Sequence, residues 1–101
     1  MEKLIVMAYM EDRDWFEGEN EELDFSEWFH RLDAVILSIE NETIVSYEVK
    51  IIRNDKSSWL HSPEIKCPQS LAEFKEMLRR NNGENMWIAS EEEVKKYNIV
   101  N

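Results

Sequence analysis

The stretch DAVILSIENETIVSYEVKIIR, residues 33 to 53, decides how the rest of the chain is read. Val35, Leu37 and Ile39 alternate with Ser38 and Glu40. After Asn41-Glu42-Thr43, Val45, Tyr47, Val49 and Ile51 alternate with Ser46, Glu48 and Lys50. Alternation at period two marks a strand with one dry and one wet face, and two such runs around a short polar break predict a β-hairpin. Antiparallel partners share a face, so the dry positions predict Ile39 opposite Val45, Leu37 opposite Tyr47 and Val35 opposite Val49. That register requires an odd-length loop, or a bulge, around Asn41 to Thr43. A two-residue loop at Asn41-Glu42 instead pairs Ile39 with Ile44 and puts Leu37 opposite Ser46.

Upstream of the hairpin, Asp24 to Leu32 has the marks of a helix. Phe25, Trp28, Phe29 and Leu32 fall at i, i+3, i+4 and i+7, one apolar stripe that predicts core packing. Asp24 suits an N-cap, Glu27 completes a capping box, Leu23 and Trp28 are spaced as a hydrophobic staple, and Glu27 and Arg31 form an i,i+4 pair. Before it, Glu11 to Glu22 has neither period and holds Gly18 and Asn20, so a long loop is expected, with Trp15-Phe16 in its middle. Loops of that length are usually functional or disordered. Leu4 to Met10 is a continuous apolar run, as expected of a central strand covered on both faces.

Downstream, Asn54 to Gln69 is irregular, with Ser57 to Leu60 and Ile65 to Cys67 as candidate short edge strands punctuated by Pro63 and Pro68. Ser70 and Glu73 predict the start of a second helix with Leu71, Phe74, Met77 and Leu78 inward, ending at Asn82-Gly83. Met86 to Ala89 reads as a strand, and Ser90 with Glu93 opens a short terminal helix docked by Val94 and Tyr97.

The expected order is therefore βαββαβ plus a short C-terminal helix. It resembles a ferredoxin-like α+β domain, a single unit over residues 1–101 with helices on one face of an antiparallel sheet. The apolar first strand then needs a cover on the other face, which the terminal helix would supply. A fold of this kind hosts many unrelated functions.

Composition narrows the function classes. The 101 residues are 43% hydrophobic, with two Gly, two Pro and one Cys, and no run approaches the roughly 18 apolar residues of a membrane span. One cysteine excludes an internal disulfide. The expectation is a soluble, cytoplasmic protein. The net charge of −10 disfavours direct contact with nucleic acid or an anionic membrane. It is also local: residues 1–48 hold fourteen acids and three bases, whereas residues 49–101 carry net +1.

Four constellations bear on chemistry. Asp12, Asp14, Glu17, Glu19 and Glu21 cluster as hard-cation ligands would, but the EF-hand spacing fails because the fifth position is Phe16, Gly18 falls at the seventh and the twelfth is Leu23. Asp33 followed by Glu48-Val49-Lys50 on a hairpin resembles the PD-(D/E)xK nuclease core, in which carboxylates hold Mg²⁺ and a lysine positions water. Glu73-Phe74-Lys75 repeats the tripeptide on a predicted helix, and the bland alternative is an ion pair on the wet face of the sheet. His30, His61 and Cys67 lack the paired spacing of zinc ligands, and Cys67 suits a small buried packer. The fourth constellation is Glu11, Asp12, Asp14, Glu17, Glu19, Glu21 and Glu22 around Trp15 and Phe16: aromatic anchors in a field of charge, as a surface that steers and then docks a partner requires. The competing reading is a solvated connection.

These features lead to a non-catalytic protein, without metal or cofactor, that binds a basic surface on a partner protein. Basic surfaces are typically those that hold nucleic acid, so an inhibitor of a nucleic-acid-handling enzyme is the concrete form. In size and charge the chain resembles phage anti-defence proteins that mimic DNA and immunity proteins that neutralise nuclease toxins. A metal-dependent nuclease-like enzyme through Asp33, Glu48 and Lys50, or an adaptor or subunit module, are the alternatives.

Overall fold

A computed structural model describes residues 2–17, 23–55, 60–81 and 85–99, with only the backbone given for 14–17 and 23–26. The elements run β1 (Glu2–Glu17), β2 (Leu23–Glu40), β3 (Thr43–Asn54), β4 (Gln69–Ser70), α1 (Leu71–Arg80), β5 (Met86–Ile88) and α2 (Glu91–Lys96). The strands form one antiparallel sheet in the order β4-β3-β2-β1-β5, a half-barrel.

This corrects the ferredoxin-like expectation at its first helix. The segment from Asp24 to Leu32 lies in β2, and the expected loop from Glu11 to Glu22 is strand as far as Glu17. Two physical reasons favour the strand. Phe, Trp, Ser, His and Asp are weak helix formers, and the aromatics among them favour sheets. In addition, β1 offers a full-length partner, pairing Phe16 with Phe25, Arg13 with Trp28 and Met10 with Arg31. Long-range pairing outweighs a 3.6-residue coincidence.

The 33–53 hairpin forms with Leu37 opposite Tyr47 and Val35 opposite Val49 as expected, but Ile39 faces Ile44 and not Val45. The turn is the two-residue one: Asn41 and Glu42 both have positive φ, 50° and 59°, as the tight twisted hairpin turn demands. It pairs Ile39 with Ile44. An irregularity between Ser38 and Ile39 then leaves Val45 as an extra residue, so Leu37 still meets Tyr47 and Val35 still meets Val49. A bulge therefore absorbs the parity conflict.

Only β3 keeps the expected wet side, where Ser46, Glu48 and Lys50 are exposed. In β2 the even positions Ala34, Ile36 and Ser38 are buried, because the sheet is covered on both sides. On one face Val6, Ala8, Val35, Leu37, Ile39 and Ile44 pack with Phe74 and Leu78 of α1 and with Ile65. On the other, Ile5, Met7, Ala34 and Ile36 pack with Ile99, flanked by Trp87, Val94 and Tyr97. The continuous apolar run of β1 thus serves a strand buried on both faces, with α2 as the second cover. Both helices start as their capping residues dictate. Ser70 Oγ accepts from Glu73 N, and Ser90 and Glu93 exchange both bonds of a capping box.

The molecule is long. Its extents are 60 × 26 × 21 Å and its radius of gyration is 16.7 Å, against about 13 Å for a compact domain of this length. The ladders explain this. β5 reaches only Ala8 on β1, and β3 reaches only Arg31 on β2. Beyond those points β1 and β2 continue as a two-stranded ribbon among the described residues.

Candidate functional site: the acidic ribbon

The ribbon gathers most of the acidic residues singled out from the sequence. Glu11, Asp12, Asp14, Trp15, Phe16 and Glu17 lie on β1, in a strand where a loop was expected. Glu19, Glu21 and Glu22 fall outside the described residues, as do the side-chain positions of Asp14, Trp15, Phe16 and Glu17. β2 adds Asp24 and Glu27. Residues 11–30 together hold nine acids against one arginine, net −8. The register sets Asp14 opposite Glu27.

Strand alternation sorts the described side chains. Glu11 and Arg13 share a face with their register partners His30 and Trp28, while Asp12 and Met10 share the other with Phe29 and Arg31. Trp28 is 52% exposed, with the Arg13 guanidinium 5.5 Å from its ring centroid. Arg13 N also donates to Asp12 Oδ1 at 2.8 Å. The helical stripe assigned Trp28 to the core; as a strand residue it stands on the ribbon surface, where a large aromatic with a cation across its face is well made for docking. Trp28 and Phe29 are adjacent, so no period-two signal in residues 26 to 32 marks it.

At the ribbon's base, Tyr9, Glu11 and His30 form a cluster. Tyr9 Oη donates to Glu11 Oε2 at 2.9 Å and lies 2.5 Å from His30 Nδ1, and the two rings stack with centroids 6.0 Å apart. Burial, then the bond to Glu11, raises the Tyr9 pKa above the ordinary phenol value. His30 O accepts from Asp55 N, and Asp55 grips Arg53 through two bonds of 3.1 Å, which lowers the Asp55 pKa and raises that of Arg53.

A second polar cluster, unforeseen from the sequence, ties the sheet to the 60–65 segment. Asp33 is 1% exposed, and Arg31 Nε reaches both its oxygens at 3.2 and 3.1 Å. The rest of the guanidinium bonds Leu60 O at 3.0 Å and Ser62 Oγ at 2.5 Å. Beside them lies a cavity of about 100 Å³ lined by Tyr9, His61, Asn85 and Met86 among others. The signal was a carboxylate at an inward position of the 33–39 alternation with an arginine two residues earlier, on the same face.

The nuclease-like trio does not assemble. Lys50 and Glu48 pair with Ala34 and Ile36, so they stand on the opposite sheet face from Asp33. Lys50 Nζ donates to Asn98 O at 2.6 Å. His30, His61 and Cys67 lie apart, on the ribbon base, the 60–65 segment and the approach to β4, and Cys67 is exposed where a buried packer was expected. No group of three or more His, Cys, Asp or Glu fit to hold a metal occurs among the described residues, but the 12–21 carboxylate cluster lies largely outside them. Among the described residues no helix is long and apolar enough to cross a membrane.

Comparison with known proteins yields no matching family model, no matching curated protein and no matching solved structure.

Proposed function

We propose that the protein is a non-catalytic binder whose acidic ribbon docks on a basic surface of a partner, of the kind that holds nucleic acid. One observation carries this reading: among the described residues, the six acids and one arginine of segments 11–17 and 23–30, net −5, are drawn out along a ribbon. The strand segments 11–17 and 23–30 span about 26 Å at 3.3 Å per residue. The net −5 of these two segments over that length is one charge per ~5 Å, sparser than the ~3.4 Å per charge along one strand of B-DNA but of the same sign and linear layout. A cleft built to bind a phosphate backbone therefore meets a line of charge of the same sign, though a sparser one. Trp28 supplies an exposed aromatic anchor within that line. An inhibitor of a nucleic-acid-handling enzyme, of the anti-defence or immunity type, fits best. The metal-dependent enzyme alternative loses its support because Asp33 faces away from Glu48 and Lys50.

Capture of partners from lysate at low and high salt is the first test, followed by kinetics with the captured protein. Replacing Glu17, Glu19, Glu21 and Glu22 by Gln should slow association and flatten its salt dependence, since exposed charges act mainly on encounter and are screened beyond roughly 8 Å at physiological salt. Trp28→Ala and Trp15→Ala should instead speed dissociation, by about 2 kcal/mol for a residue that is a hot spot. Unchanged rates in all three variants would remove the ribbon from the interface.

A further inference from the structure

The outer edge of β3 is built to pair with itself. β4 covers only Thr43 and Ile44 of that edge, and no other described strand lies along it. The hairpin geometry determines which backbone groups point outward. A two-residue turn closes on a hydrogen-bonded pair, here Glu40 with Thr43, and the ladder alternates from there. With Val45 as the extra residue, Ser46, Glu48 and Lys50 direct their backbone groups to β2, and Tyr47, Val49 and Ile51 direct theirs to the open side. Side chains along this edge are accessible too: Val45 is 37%, Val49 38% and Ile51 54% exposed, Tyr47 is half-buried against the core, and Glu48 and Lys50 are exposed on the other face. A long, uncovered, partly apolar edge strand is a template for another strand.

We infer that a second copy of this chain occupies the edge, β3 against β3 about a two-fold axis at Val49. The sequence around that axis is self-complementary. Antiparallel pairing centred on Val49 sets Tyr47 against the partner's Ile51, so that an apolar row runs unbroken through the axis. On the other face it sets Glu48 against the partner's Lys50, and Lys50 against the partner's Glu48. These two opposite-charge pairs fall at the non-hydrogen-bonded positions, where cross-strand side chains stand closest. A shift of the register by two residues in either direction breaks both ion pairs. The two-fold also settles the repulsion between acidic arms. Each ribbon leaves the body past Asn54, five residues from the axis, and antiparallel strands send the two in opposite directions. Their bases are then about 33 Å apart at 3.3 Å per residue, well beyond the roughly 8 Å screening length. This inference stands on the body of the sheet and is independent of what the ribbon binds.

Light scattering and sedimentation over a dilution series of the full chain test it. The wild type should approach twice its 12.2 kDa mass at the concentrated end and return to monomer on dilution. Val49→Pro removes one outward N–H, which an edge strand tolerates in the monomer, and should abolish the dimer with an unchanged circular dichroism spectrum. Lys50→Glu should abolish it by opposing like charges. Glu48→Lys combined with Lys50→Glu should restore it, although the bond from Lys50 to Asn98 O remains lost. A wild type that stays monomeric throughout, a dimer that survives Val49→Pro in a folded protein, or a double swap that fails to rescue would each overturn the inference.

Discussion

Asp33→Ala is the most severe single change the structure points to away from the apolar core. The Asp33 side chain is 2% exposed and the Arg31 side chain 13% exposed, so removal of the acid strands a guanidinium where water reaches poorly. Breaking one side of such a pair costs about 3–5 kcal/mol, out of a total of about 5–15 kcal/mol for a domain this size. At about 4–8 °C per kcal/mol the melting temperature should fall by roughly 12–40 °C. Arg31→Met should cost a comparable amount and should also free Leu60 O and Ser62 Oγ, so the 60–65 segment should become sensitive to protease. The double variant Arg31→Met/Asp33→Leu leaves no buried charge. It should recover much of the loss, falling short by the unsatisfied Leu60 carbonyl, about 1–3 kcal/mol. Urea titrations followed by circular dichroism give all three values, and the interaction energy follows from the cycle. A loss under about 1 kcal/mol for Asp33→Ala, or additive single and double variants, would show that the pair is solvated and that the segment is held by Leu60 and Ile65 alone.

Phe29→Ala should cost about 1 kcal/mol, since the side chain is only partly buried on the ribbon, rather than the several kcal/mol of a core helix position; chemical denaturation distinguishes these. Ser90→Ala should remove about 1 kcal/mol by deleting the cap of α2, read as loss of amide-exchange protection from Val94 to Tyr97. The Glu93 pKa is lowered by the Ser90 N–H bond and then by Trp87 Nε1, so its contribution to stability is present above the ordinary carboxylate pKa and is lost as pH falls through the lowered one; Glu93→Gln should flatten the acid limb of the stability curve. Tyr9 runs the other way. Its raised pKa gives stability that is full below the ordinary phenol value and is lost as pH climbs through the raised one, so Tyr9→Phe should hold up better than wild type above about pH 10.

What the sequence disclosed follows the range of the interactions. The hairpin, the β1 core run and the caps at Ser70 and Ser90 are legible because each is specified within about ten residues. The ribbon is not. Both its faces are largely wet, so residues 24–32 carry no period-two signal, and Phe25, Trp28, Phe29 and Leu32 happen to match a helical stripe. What makes that segment a strand is β1, which is distant in sequence at most positions. The acidity of residues 11–22 is plain from composition, but the placement of residues 11–17 on a strand is not. Asp33 reads in the sequence as a partner of Glu48 and Lys50 across the hairpin, whereas the structure pairs it with Arg31, two residues away on the same face.

The sheet order carries a consequence for how the chain assembles. β1, β2 and β3 are joined by hairpins, which form in about 1–10 μs. β5 must return to the far edge of β1, pairing Ile88 with Val6 across nearly the whole chain. Closure of so long a loop comes late in folding, because its entropy is lost before three residue pairs and α2 give anything back. Without that segment Ile5, Met7, Ala34 and Ile36 lose Ile99 and the flanking Trp87, Val94 and Tyr97 on one side of the sheet. The C-terminal segment is thus the chain's own chaperone for that surface, and a nascent chain stalled before Met86 would present a sticky, acid-tipped sheet to its surroundings.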